Sequence, residues 1–137
     1  MSEKALRYNN DKPQWSLVPQ SALIPMVDVL EYGAHKYTIF EDSDGNEVKG
    51  IDITPEDAKH LKVKVSGRNN WKKGLPIREQ LESLKRHLDA FMEGEDIDPE
   101  SGLPHIGHMQ CNTLFLGWTM ENLPEMDNRD EVEHLKF

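Results

Sequence analysis

Three polar side chains share one face of a segment that is otherwise predicted to form a buried helix. His105, His108 and Asn112 stand at positions i, i+3 and i+7, so an α-helix places them in one row. A buried polar group costs about 1–3 kcal/mol unless it finds a partner. The row therefore predicts either a hydrogen-bond ladder in the core or a site for a metal or a phosphate, and the residues alone leave both open.

A dense group of carboxylates precedes this helix. Residues 94–102 carry Glu95 and Asp98 together with two further acidic side chains, Asp96 and Glu100. Such a cluster repels itself unless a cation neutralises it, and oxygen ligands at this density suit Mg²⁺ or Mn²⁺. A solvated turn is the alternative interpretation.

Two other predicted helices offer side chains to the same place. His87 lies at the edge of an apolar stripe beside Arg86, and Glu31 lies next to the stripe of an earlier helix, with Lys36 following one turn later. Glu31 is expected either to pair with a cation or to bind metal. Because packed stripes bring their edges together, we expect Glu31, His87 and His105 to converge on one cation.

The basic segment 68–74 could contribute to nucleotide binding. It combines several cations, among them Lys73, with Asn70 and one aromatic side chain, Trp71. Cations suit a polyphosphate, and an aromatic ring offers a face to a base. An ordinary loop anchored by Trp71 is the other interpretation.

Helical periodicity predicts the scaffold. The apolar pattern predicts long helices over 21–37, 75–93 and 104–122. The second helix has a predicted core stripe through Leu81, Leu84 and Leu88. The third is predicted to be central, because it is apolar over most of its circumference. Trp15, Leu17 and Val18 are expected to anchor the N-terminal arm on the body of the protein. Residues 125–137 are expected to form a short helix or a tail. The predicted fold is an all-α single domain, a three-helix bundle with a short C-terminal helix, completed by oligomerisation.

Residues 38–67 are predicted to be a surface insertion. Asp44-Gly45 predicts a hairpin turn, Thr54-Pro55 predicts the start of a short helix, and residues 61–65 alternate like an edge strand. A calcium loop is disfavoured because Glu47 stands where such a loop needs glycine.

Composition excludes several classes of function. The 137 residues are 36% hydrophobic and 30% charged, with a net charge of −9, which disfavours a nucleic-acid partner. No apolar stretch is long enough to span a bilayer or to act as a secretory signal, so we expect no membrane partner. The single Cys111 cannot form an internal disulfide, which suits a reducing cytoplasm. His-Asp, HExxH, P-loop and GxGxxG motifs are all absent from the sequence.

The chain resembles the phage-type dATP/dGTP diphosphohydrolase family, also described as MazZ-like, within the all-α MazG/HisE-like nucleotide pyrophosphatases. The matching pieces are Lys12–Pro19, Leu30–Tyr37, Asn70–Gly74, Arg86-His87, and Gly94–His105 with His108 and Asn112. The resemblance covers most of the chain outside the insertion and the tail. The run from Arg86 to Asn112 is its most specific part.

The resemblance implies an oligomeric enzyme, a dimer or tetramer, of the cytoplasm or of the host cytoplasm if the protein is phage-encoded. It would use Mg²⁺ or Mn²⁺ to cleave a purine nucleoside triphosphate into a monophosphate and pyrophosphate, with dGTP or GTP the favoured substrate. By position, the resemblance implies metal ligands at Glu31, His87, Glu95, Asp98 and His105, with Glu31 and Glu95 also catalytic, and substrate contacts at Lys36, Asn70, Trp71, Lys73, Arg86, His108 and Asn112.

Two other functions remain open from the residues. The chain could be a non-catalytic helical oligomer whose histidines and carboxylates bind a structural metal. It could also be a metal-dependent nucleotide hydrolase with a different base preference.

Overall fold

Three long helices and a small antiparallel sheet are the main elements of the computed structural model, which describes residues 3–8 and 10–130. The helices are α1 (Ile24–Lys36), α2 (Pro55–Ala58), α3 (Ile77–Met92) and α4 (His105–Asn122), and the strands are β1 (Ile39–Glu41), β2 (Glu47–Lys49) and β3 (Lys62–Val65). The long helices lie where the apolar stripes predict them. The predicted short C-terminal helix is a single 3₁₀ turn, Pro124–Met126, and the rest of the predicted tail from residue 131 lies outside the described residues.

Helix α4 is central, as its nearly uniform apolar surface predicts. It packs against both α1 and α3. Gly107 permits the close approach of α1, because a Cβ atom at this position would collide with the carbonyl group of Pro25. Cys111 and Thr119 are almost completely buried on α4. A cleft therefore forms above α4, between α1 and α3.

The apolar stripe of α3 is only partly buried, which differs from the predicted core stripe. Ile77 is buried, but Leu81, Leu88 and Phe91 are 38–42% exposed. A single neighbouring helix covers one side of α3, and the stripe is wider than that side. The predicted anchoring of the arm is also wrong, because Trp15 and Leu17 are among the most exposed apolar side chains.

The insertion contains the predicted hairpin, edge strand and short helix. The sheet has the order β2-β1-β3, with Phe40 opposite Val48 in the hairpin. At the start of α2, the Thr54 hydroxyl accepts a hydrogen bond from a backbone N–H, the cap that the sequence indicates. Among the described helices, none has the length and apolarity that a bilayer span needs.

Candidate active site

A cavity of about 600 Å³ lies in the cleft above α4. Residues of α1, α3, α4 and the acidic loop between α3 and α4 line it, and so do Asn70 and Trp71 of the turn that precedes α3. Gly94, with φ of +97°, ends α3 and turns the chain into the acidic loop. The hydrogen bond from the His105 N–H to the Asp96 carbonyl ties that loop to the start of α4.

His87, Asp98 and His105 form a group of potential metal ligands in this cavity. One donor atom from each of the three side chains lies within 4.8 Å of the other two. The Nδ1 atoms of His87 and His105 are 2.9 Å apart. Two imidazole nitrogens and a carboxylate oxygen, contributed by two helices and a loop, are a donor set that fits a divalent transition-metal ion.

Glu95 contacts the other nitrogen of one of these histidines. Its Oε1 atom lies 2.7 Å from His105 Nε2, and His105 is buried. A carboxylate at Nε2 favours the tautomer that carries its proton there, which leaves Nδ1 with a free lone pair. Glu95 therefore orients His105 with its Nδ1 toward His87.

A second polar chain links the acidic loop to α4. The Ser101 hydroxyl lies 2.8 Å from Asp98 Oδ2 and 2.7 Å from His108 Nε2. The ring of His108 stacks on that of His87, with centroids 4.3 Å apart. Sequence reasoning missed Ser101, although its position three residues after Asp98 is typical of a turn in which the aspartate accepts from the backbone.

These contacts set the charges of the site. Burial, followed by the charges of neighbouring histidines, lowers the pKa of His87, and burial also lowers the pKa of His108 despite the nearby Asp98. Burial acts to raise the pKa of Asp98, but hydrogen bonds from the Ser101 hydroxyl and N–H outweigh it, so this pKa is lowered. At neutral pH, His87 and His108 are therefore neutral and Asp98 is charged, the forms that bind cations.

Two cationic side chains also line the cavity. Lys36 forms an ion pair with Glu100, with Nζ and Oε1 3.4 Å apart, whereas Arg86 has no ion pair with any of the described residues. Three carboxylates, those of Glu95, Asp98 and Glu100, face these two cations. An anionic ligand would therefore meet an excess of negative charge unless a cation were bound with it.

Aromatic side chains line the cavity further along α4 than the histidines, because Phe115 comes seven residues after His108, about 10 Å along the helix axis. The rings of Trp71 and Phe115 stack with centroids 4.6 Å apart, and Trp118 meets Trp71 edge-on at 5.2 Å. The sequence indicated Trp71 as a base-binding face, but Phe115 covers one side of its ring. Phe115 was missed because its place in the apolar pattern of α4 made it indistinguishable from a core residue.

Most of the predicted site residues meet in this one cavity. Ten of the twelve line it: Lys36, Asn70, Trp71, Arg86, His87, Glu95, Asp98, His105, His108 and Asn112. Lys73 is exposed and does not line it. Glu31 is also exposed and lines a neighbouring cavity with Asp28 and His35, so the structure does not bring it to the two histidines as expected. At the edge of a stripe, a side chain can face either of two clefts, and periodicity alone does not choose between them.

Comparisons with known proteins identify the family of the chain. A family model described as "dATP/dGTP diphosphohydrolase, N-terminal" matches residues 2–129. A dATP/dGTP diphosphohydrolase of Salmonella phage PMBT28 is 38% identical over 63 residues, which are 46% of this chain and 21% of that protein. The match therefore spans about a fifth of the length of that relative. No solved structure matches the chain.

Proposed function

Since the chain belongs to the dATP/dGTP diphosphohydrolase, N-terminal, family, we propose that it converts a purine nucleoside triphosphate and water into a nucleoside monophosphate and pyrophosphate. The favoured substrate is dGTP. One observation carries the proposal: a single cavity has the His87–His105–Asp98 group at one end and the stacked Trp71 and Phe115 at the other. That order fits the phosphates and the base of a nucleotide.

We propose that His87, His105 and Asp98 hold a divalent cation. Mn²⁺ suits the donor set better than Mg²⁺, because imidazole nitrogen is a poor ligand for the harder ion. A cation bound there would neutralise phosphate charge and make a water molecule more acidic. Added Mn²⁺ should raise the melting temperature of the protein, and Asp98→Asn should remove most of this rise. Asp42→Asn, in the turn between β1 and β2, is the control that should keep it.

The other polar groups have roles that follow from their positions. Arg86 and Lys36 would stabilise the negative charge of the triphosphate and of the departing pyrophosphate. Glu31 and Glu95 are the two carboxylates predicted to act as bases, and of these Glu95 lines the cavity. We therefore propose that Glu95 accepts the proton of the attacking water. Trp71 and Phe115 would form the surface against which the base packs.

The test is a panel of the common nucleoside triphosphates and deoxynucleoside triphosphates, incubated with Mn²⁺ or Mg²⁺. Pyrophosphate and orthophosphate are measured separately. We expect pyrophosphate release, greatest with purine deoxynucleotides and Mn²⁺, and we expect Asp98→Asn to abolish it while Asp42→Asn does not. Pyrophosphate release with pyrimidines alone would correct the base preference and leave the reaction in place.

Two other outcomes would replace the proposal. Stepwise release of orthophosphate would indicate a different nucleotide hydrolase. No release from any nucleotide, together with metal-dependent stabilisation, would indicate the non-catalytic metal-binding protein.

We also propose that two copies of the chain associate through α3. Its stripe of Leu81, Leu88 and Phe91 is partly exposed, and in a two-fold dimer each copy would cover the stripe of the other. Leu88→Glu should produce a monomer in sedimentation experiments. Ile51→Glu, an exposed position on the insertion, should not change the mass of the assembly. A monomeric wild-type protein would contradict this proposal.

A further inference from the structure

Asn112 lines the cavity and has an unused hydrogen-bonding atom. The residue is only 8% exposed, and its Nδ2 atom donates to the Ser83 hydroxyl over 3.2 Å. Its Oδ1 atom is buried and has no hydrogen-bond partner. Because a buried acceptor without a partner is unfavourable, this oxygen is suited to a ligand that donates a hydrogen bond.

The position of Asn112 along α4 indicates which part of a nucleotide would be that donor. His108 lies one turn before Asn112 and Phe115 lies three residues after it, about 6 Å and 4.5 Å along the helix axis. Both of these residues line the same cavity. A nucleotide with its phosphates at the histidines and its base at Phe115 would therefore have its sugar at Asn112.

The chemistry of the nucleotide narrows the choice further. Ionised phosphate oxygens only accept hydrogen bonds, so they cannot satisfy Oδ1. The N–H groups of a purine belong to the base, which the aromatic pair would hold beyond Asn112. Between the phosphates and the base, the donor that a deoxynucleotide presents is its 3′-hydroxyl group.

We infer that Asn112 Oδ1 accepts a hydrogen bond from the sugar 3′-hydroxyl of the bound nucleotide, an inference that rests on the proposed function. Ser83 has a positioning role, since its hydroxyl accepts from Nδ2 and thereby directs Oδ1 away from α3. The site would discriminate against nucleotides that lack the 3′-hydroxyl. This discrimination would be independent of the base, because both purines carry the same sugar.

The experiment compares dGTP with 2′,3′-dideoxy-GTP in three proteins. We expect kcat/KM of the wild-type enzyme to be about tenfold or more lower for the dideoxynucleotide, the scale of one lost hydrogen bond to a buried group. In Asn112→Ala the ratio of the two values should fall close to one. Gln110→Ala is the matched control: Gln110 lies on the same helix and also has a buried oxygen without a partner, but it does not line the cavity. It should keep the wild-type ratio.

Binding measurements separate this inference from the proposed reaction. The same comparison is made by calorimetry with the α,β-methylene analogues of both nucleotides, which cannot be cleaved between the α- and β-phosphates. A preference for the 3′-hydroxyl that is lost in Asn112→Ala supports the inference even where no pyrophosphate is released. Equal affinity of the wild-type protein for both analogues, or a preference that persists in the variant, overturns it. Asn112→Leu, which keeps the branched shape of the side chain without its polar atoms, replaces the alanine variant if circular dichroism shows that the latter is unfolded.

Discussion

His87 and His105 face each other with their Nδ1 atoms 2.9 Å apart, although they belong to different helices. One of the two nitrogens must donate and the other accept. Because Glu95 lies at Nε2 of His105, His105 is the residue whose Nδ1 accepts, and His87 donates from its own Nδ1. A cation that takes the place of this shared proton would find both nitrogens already directed at one point.

Glu95 and Glu31 should differ in their effect on metal binding. Glu95→Gln should weaken Mn²⁺ affinity by about 10- to 100-fold, because a carboxylate that orients a ligating histidine also increases its basicity. Glu31→Gln should change the affinity little, since Glu31 lines the neighbouring cavity. Calorimetric titration of each folded variant with Mn²⁺ measures the difference. A large loss of affinity in Glu31→Gln alone would instead restore Glu31 as a ligand.

The sequence predicts the long helices well because α1 and α3 each carry an apolar stripe at helical spacing and α4 is apolar over most of its circumference. The row of His105, His108 and Asn112 predicts a polar site for the same reason. Periodicity does not show what lies opposite a side chain. For this reason we expected Glu31 beside the two histidines, whereas it lines the neighbouring cavity. The stacking of Phe115 on Trp71 was missed for the same reason. The contact between Ser101 and His108 was equally out of reach, because it depends on how the loop folds back onto α4.

The stability of the metal-free protein should fall as the pH is lowered below about 6.5. His87 and His108 have lowered pKa values in the folded protein, so the unfolded chain binds more protons in the range just below the usual histidine value of 6.5. Their stabilising contribution is therefore complete above that value and is lost as the pH falls through their folded pKa values. Thermal melts with a chelator between pH 7.5 and 5 measure the slope of stability against pH.

A histidine variant identifies the source of this slope. His108→Gln should flatten it, because one of the two titrating groups is removed. His60→Gln, an exposed position on the insertion, serves as the control and should keep the wild-type slope. An unchanged slope in His108→Gln would mean that other groups cause the pH dependence.

Two glycines on α4 should respond to alanine in opposite ways. Gly107→Ala should lower the free energy of unfolding by about 1–3 kcal/mol, because the new methyl group would collide with the Pro25 carbonyl and push α1 away. Gly117 has no atom within 4 Å of the position of a Cβ, so Gly117→Ala should raise the stability by about 0.5–1 kcal/mol through helix propensity. Urea unfolding of both variants gives the comparison. Equal effects would show that α1 does not pack as closely as described.

The insertion should be removable without loss of the helical body. Its two ends are joined at Thr38, whose hydroxyl donates to the Ala34 carbonyl over 2.6 Å and accepts from the Gly67 N–H over 2.9 Å. A short Gly/Ser bridge can therefore replace residues 39–66 without moving α1. Phe40 and Ala58, the buried apolar residues of the insertion, lie within the removed segment, so little apolar surface of the helices should be newly exposed.

We expect this deletion variant to keep a helical circular-dichroism spectrum and a cooperative thermal transition at a somewhat lower temperature. Some loss is expected because His35 Nε2, 2.7 Å from the Ile53 carbonyl, loses its partner and becomes more exposed to water. Thr38→Ala in the full-length chain is the informative control. It leaves the buried Gly67 N–H without an acceptor and should cost about 1–3 kcal/mol. If the deletion variant is unfolded while Thr38→Ala folds, the sheet itself supports α1, and the insertion is then part of the core.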